Sequence, residues 1–164
     1  MAGRGGAPRA SRRVHFHNAL SRHIATLADG FRLARSPSDL AGIYGVHATG
    51  RPHGIRPDHA LYGPGGRAIY VEMKRQRAAG NAHERACKYF TPGILRSGRE
   101  IARQPEGVIP FWWIFTNGVA EDERYVREIR YWFHGVEGHV LLWQPRTSAL
   151  LVSHFERYIL PLLL

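Results

Sequence analysis

The chain has 164 residues, 44% hydrophobic and 22% charged, a composition that fits one folded domain around a single core. Its 23 Lys and Arg against 13 Asp and Glu leave a formal charge of +10. That balance favours a polyanionic partner, because each neutralised phosphate releases condensed counterions; an arginine-rich source composition would produce the same charge. The lone Cys87 excludes an internal disulfide and fits a reducing compartment. No apolar run follows the basic N-terminus as a secretion signal would require, and the apolar stretch 159–164 is too short to span a bilayer. A soluble, cytoplasmic protein with no membrane association is expected.

Residues 1–13 read as a flexible basic arm, and residues 14–164 as one domain. Leu20, Ile24, Leu27 and Phe31 recur at three and four, which predicts an amphipathic helix over residues 14–34, with Gly30 weakening its last turn. Ser36-Pro37 can open a short helical turn over residues 40–44, and residues 49–54 are loop. Residues 55–62 and 68–74 are strand-like, joined by Gly63-Pro64-Gly65-Gly66-Arg67. In the second strand Ile69, Val71 and Met73 alternate with Tyr70, Glu72 and Lys74, so an apolar trio facing a core leaves Glu72 and Lys74 on the other side. A five-residue turn would set Asp58 opposite Glu72 on that face. Residues 81–90 should be helical, with Asn81, Glu84, Arg85 and Lys88 forming one polar face, and Thr91-Pro92-Gly93 ends the element. Residues 108–115 form a continuous apolar run suited to a central strand. A helix over 122–133 follows, then a strand over 140–143. A last helix over 148–160 should turn Leu150, Leu151, His154, Phe155 and Tyr158 inward. This order predicts an α/β domain, a mixed central sheet flanked by helices.

Chemistry concentrates between Asp58 and Lys88. Two carboxylates close together repel unless a hard cation sits between them, and oxygen ligands suit Mg²⁺. Such a cation, held by Asp58, Glu72 and the main-chain carbonyl of Met73, would acidify a water and clamp phosphoryl oxygens. Lys74, two positions from Glu72 on the same face, can orient that water or offset charge. Taken alone, Pro57-Asp58 with Glu72-Met73-Lys74 is short enough to occur on an ordinary surface hairpin. Against that stands the scarcity of lysine: Lys74 and Lys88 are the chain's two lysines among 23 basic residues, and both fall in this stretch. A compact ammonium differs from arginine's planar fork, so its retention there suggests a need for it.

Pro57-Asp58 followed by Glu72-Met73-Lys74 is similar to the PD-(D/E)XK nuclease signature. Ala78-Ala79-Gly80-Asn81-Ala82-His83-Glu84-Arg85, with Lys88 beyond, resembles a run found in the EcoRI/MunI-like type II restriction endonucleases. The resemblance covers roughly residues 56–88. It implies a restriction-endonuclease-like core and a homodimeric, Mg²⁺-dependent endonuclease, one half of a restriction-modification system. That enzyme would cut palindromic double-stranded DNA and leave 5′-phosphates. Carried over, Asp58, Glu72 and Lys74 would be catalytic, while Asn81 and Arg85 would contact adenine edges within an inner AATT. Gly80 and Ala82 would let the backbone approach, Glu84 would brace Arg85, and Lys88 would complete the DNA-binding set. Physical chemistry agrees on two of these, since an amide matches the N6/N7 edge of adenine and a guanidinium fork matches purine acceptors. The chain is shorter than those relatives, and nothing in it identifies readers of the outer base pairs.

Other groupings are weaker. His83 and Cys87 stand at i, i+4 but lack two further zinc ligands. His53 and His59 flank Asp58 and could lie near phosphates. Asp29 or Asp39 could add a carboxylate ligand. Arg124, Arg127 and Arg130 could line a backbone-binding face, although a solvated face is as good a reading. Two other functions stay open on sequence grounds: a repair or recombination nuclease selecting DNA structure, and a sequence-specific DNA-binding protein that does not cut.

Overall fold

A computed structural model describes residues 9–76 and 80–164. Helix α1 (Arg9–Ile24) leads to β1 (Arg32–Arg35), a small ribbon of β2 (Gly45–Val46) and β3 (Pro52–His53), then β4 (His59–Tyr62) and β5 (Ala68–Gln76). Helix α2 (Ala82–Ala86) continues as a 3-10 turn, Cys87–Phe90, followed by α3 (Pro92–Ile101), β6 (Phe111–Asn117), α4 (Gly118–Glu121), α5 (Glu123–Trp132) and β7 (Val140–Trp143). The C-terminal stretch joins α6 (Ala149–His154), a π-type segment Phe155–Ile159 and α7 (Leu160–Leu163). Five strands form one mixed sheet in the order β1-β4-β5-β6-β7, antiparallel from β1 to β5 and parallel from β5 to β7.

The period-two alternation of β5 builds both faces of this sheet. Tyr70 joins Ala60, Phe111, Trp113 and Phe115 under the helices that carry Ala86, Tyr89, Ile94, Val119, Ile129 and Phe133. Ile69 and Val71 join Leu61, Trp112, Ile114 and Leu141 under Phe16 and Leu20 of α1 and Leu151, Phe155 and Ile159 of the C-terminal stretch. Trp112 and Trp113 are therefore core side chains on opposite faces, both fully buried. Side chains of phenylalanine size contribute about 1.5–3 kcal/mol each by such burial. At the β4–β5 turn a side chain on Gly63 would place its Cβ 1.9 Å from the Leu163 carbonyl oxygen, so glycine is what lets α7 close on the turn. The Gln104 amide reinforces that closure by donating to the carbonyls of Ala68 (2.9 Å) and Leu162 (3.0 Å).

Several boundaries differ from the sequence reading. The first helix begins at Arg9 and stops at Ile24; residues 1–8 of the expected arm lie outside the described residues. Leu27 and Phe31 still pack on the same core, but from a turn that Gly30 (φ 98°) reverses against Pro64, and residues 32–35 become an edge strand. Residues 40–44 make turns and no helix, with Ala41 N–H donating to Ser38 O and Ile43 N–H to Leu40 O. Strand β4 starts at His59, beyond Pro57, whose nitrogen has no hydrogen to give a ladder. Pro92 ends one element and opens another, as proline at a helix's first position does, so α3 went unanticipated. In α6 and the π-type segment, Leu151 and Phe155 point inward as expected, whereas Leu150 and Tyr158 are exposed.

His154 lies flat on Trp112, ring centroids 5.5 Å apart and planes 3° from parallel. Burial pulls its imidazole down to about 4, and burial lowers His139 as well. A histidine held neutral in the fold but free to charge near 6.5 when unfolded supports the fold above pH 6.5 and loses that support as pH falls toward 4. Urea midpoints should therefore drop across that window, and His154→Phe, which keeps the stacking, should flatten the drop. Equal slopes in the two proteins would remove His154 from the account.

Candidate functional site

The β4–β5 ladder pairs His59 with Val71 and Ala60 with Tyr70, and Asp58, one residue before β4, lies against the same end of β5. Asp58 N–H donates to the Val71 carbonyl at 3.0 Å, and the Asp58 Oδ2 accepts the Met73 N–H at 2.9 Å. The turn Gly63-Pro64-Gly65-Gly66-Arg67 fixes that register: Gly63 N–H donates to Arg67 O at 2.9 Å and Gly66 takes a positive φ of 81°. Glu72 is 5% exposed and Asp58 8%, unusual burial for carboxylates. The Lys74 ammonium is hydrogen-bonded to Glu72 Oε1, while Glu72 Oε2 is buried with no hydrogen-bond partner among the described residues. Burial raises the Glu72 carboxyl above its usual range, Lys74 opposes that rise, and Asp58 adds to it. The structure thus brings Asp58, Glu72, Met73 and Lys74 together as the alternation demanded.

This donor set fits a hard divalent cation. Two buried carboxylates destabilise each other, one of their oxygens lacks a donor, and the Met73 main chain adds a carbonyl. Among the described residues no third His, Cys, Asp or Glu side chain joins them. Asp39 is occupied elsewhere, its Oδ2 accepting the phenols of Tyr62 (2.7 Å) and Tyr70 (3.1 Å), and Asp29 is exposed in the turn after α1. His53 stacks on His47 in the β2–β3 ribbon, and His59 packs on Phe16. Arg124 and Arg127 pair with Asp122 and Glu123 on the exposed side of α5, the solvated face.

The segment after β5 presents a polar edge. Gly80, Asn81, Glu84, Arg85 and Lys88 are exposed and Ala82 half-buried, while Ala78 and Ala79 lie outside the described residues. The helix is shorter than expected, α2 proper ending at Ala86, yet the 3-10 turn keeps Lys88 exposed. Asn81 occupies the N-cap position without using its side chain to cap, so the amide is not spent on the helix end. Gly80 N–H donates to the Tyr125 phenol at 3.3 Å.

His83 has a structural role that sequence reasoning left open. It is 1% exposed, its Nε2 meets the Glu128 carboxylate, and its ring lies between Tyr125 (4.5 Å) and stacked Trp132 (5.2 Å) of α5. Cys87 turns its thiol toward the His83 carbonyl, so the pair does not form a zinc grip. Glu128, Tyr125 and Trp132 stand at helical spacing on one side of α5, and that aromatic-acid pattern was the available signal.

A five-stranded mixed sheet with two carboxylates and a lysine on the middle of its hairpin is a restriction-endonuclease-like core. The structure matches that of the MunI restriction endonuclease in complex with cognate DNA over 90% of this chain and 89% of that one, with a TM-score of 0.81 and 25% identity. A family model described as type II restriction enzyme MunI matches residues 19–164, and the chain belongs to that family. The type II restriction enzyme MunI of Mycoplasma sp is 36% identical over 116 residues, 63% of this chain; the match spans 57% of that relative's length. No helix among the described residues is long and apolar enough to cross a membrane.

Proposed function

We propose that this protein is a type II restriction endonuclease that hydrolyses double-stranded DNA at a palindrome containing AATT, with Mg²⁺, as a homodimer, leaving 5′-phosphates. The observation that carries the reading is the join between two parts: a buried acid pair with its lysine at β5 and the residue before β4, and an exposed edge of Asn81, Glu84 and Arg85 that starts five residues after β5. A divalent cation held by Asp58, Glu72 and the Met73 carbonyl would supply charge neutralisation at the phosphoryl oxygens and a more acidic water. Lys74 holds Glu72 and offers an ammonium to the attacking water and to the charge that gathers on phosphorus-bound oxygens. The low exposure of both acids keeps bulk water away, which strengthens each of these interactions.

On the reading edge, the Asn81 amide offers one donor and one acceptor to adenine, and the Arg85 fork offers paired donors to purine acceptors. Gly80 and Ala82 keep that edge low enough for a groove, Glu84 braces Arg85, and Lys88 contributes a cation to the backbone. A palindrome presents the same half-site twice, so two copies related by a two-fold axis match it.

Digestion of a sequenced plasmid tests the proposal. With Mg²⁺ the purified protein should release discrete fragments whose ends share one AATT-centred palindrome, and EDTA should stop the reaction. Ends without a common palindrome, or cutting that persists in EDTA, would reject it.

A further inference from the structure

Tyr89 stands in the 3-10 turn that ends the reading segment, 3% exposed and packed on Phe111 with ring centroids 5.5 Å apart. Its phenol lies beside the Glu72 carboxylate. The Lys74 ammonium is 5.9 Å from the centre of its ring and the Lys88 ammonium 5.1 Å. Both distances fall inside the roughly 6 Å over which an aromatic face attracts a cation. The chain has two lysines, one from β5 at the acid pair and one from the exposed reading edge, and both converge on this one ring. Two ammonium groups gathered there repel each other, and an electron-rich face near both offsets that repulsion beside the Glu72 carboxylate that pairs with Lys74. A leucine would fill the same core space without that property.

We propose that Tyr89 is a positioning residue whose ring, shared with the Lys88 ammonium, seats the Lys74 ammonium against Glu72, so that alignment of the hydrolytic groups turns on this side chain. The inference rests on the nuclease reading above. Tyr89 touches neither DNA nor the reacting atoms in this account; it acts through the two lysines. Its hydroxyl also reaches the Glu72 carboxylate, and a series built on phenylalanine leaves that contact out so that the π face alone is varied.

The test separates ring electronics from ring shape. Tyr89 is replaced by phenylalanine, then by mono-, di- and trifluorophenylalanine introduced at the same codon, because fluorine withdraws density from the ring face with little change in volume. Three quantities are read: the single-turnover cleavage constant at saturating protein, the Kd for an AATT duplex without metal, and the thermal midpoint. Tyr89→Phe should cut within about threefold of the parent, and the trifluoro form about tenfold more slowly, the size expected of a desolvated cation–π contact. Kd should stay within about threefold and the thermal midpoint constant along the series, whereas Tyr89→Leu should cut at least as slowly as the trifluoro form. A flat rate along the series overturns the proposal. So does a rate that falls only together with the thermal midpoint, or a phenylalanine form already as slow as the leucine form. A parent protein that fails to cut AATT DNA defeats the nuclease reading itself; a parent that cuts with a flat fluorine series defeats this inference alone.

Discussion

On the proposed function, Glu72→Ala and Lys74→Ala should each leave a protein that binds AATT DNA and cuts it on the order of 10³-fold more slowly, or below detection. The expectation comes from where charge must be managed. Glu72 is 5% exposed, and its Oε2 has no donor among the described residues, so it is the oxygen best placed to face a cation. Removing it would take away a proposed ligand without touching the exposed edge at Asn81, Glu84, Arg85 and Lys88. The same burial makes a second expectation. A carboxylate sunk beside Asp58, with its proton affinity raised by burial, costs folding energy, so Glu72→Gln should melt at or above the parent's temperature while losing its activity. Gel shifts, single-turnover cleavage and thermal melts on one preparation check all three statements. Cleavage by Glu72→Ala within tenfold of the parent would end the assignment.

Asn81→Ala and Arg85→Ala should behave in the opposite way, keeping the hydrolytic groups intact and losing the ability to tell AATT from other duplexes. A bidentate base contact is worth about 1–3 kcal/mol, so each change should lower the preference for AATT by roughly 5–150-fold. Both side chains are exposed, and Asn81 is not used to cap its helix, so stability should move by no more than about 0.5 kcal/mol. Competition binding with AATT duplexes carrying single base changes measures the loss directly. An unchanged preference ladder in Arg85→Ala would show that sequence is read elsewhere.

The sheet and the acid pair were legible because β5 obeys a strict two-residue alternation between two buried faces. With Ile69 and Val71 committed to one core, Glu72 and Lys74 had a single side left, and the five-residue turn 63–67 that sequence offered is the one that joins Tyr62 to Ala68. The exposed edge of α2 was legible for the matching helical reason. Boundaries failed where one pattern served two structures. Leu20, Ile24, Leu27 and Phe31 do share a core, but the last two reach it from a turn, and side-chain spacing does not register the change of backbone at Gly30. Proline at residue 92 was read as a stop when it was also a start. In the structure Gly98 is where α3 meets the Phe111 ring, and an added Cβ would sit 3.1 Å from that ring, a tight contact. His83 was illegible because its partners arrive from α5, more than forty residues on.

In the segment after β5, buried and exposed side chains share one short stretch: His83, Ala86 and Tyr89 face inward while Asn81, Glu84, Arg85 and Lys88 face outward. Apart from Lys88, whose ammonium lies 5.1 Å from the Tyr89 ring, the outward side chains are exposed to solvent, so evolution or an engineer can rewrite those letters while the inward ones keep the stylus at a constant height. A library randomised at the four outward positions should consequently consist mostly of folded molecules, with altered taste for DNA as their main difference.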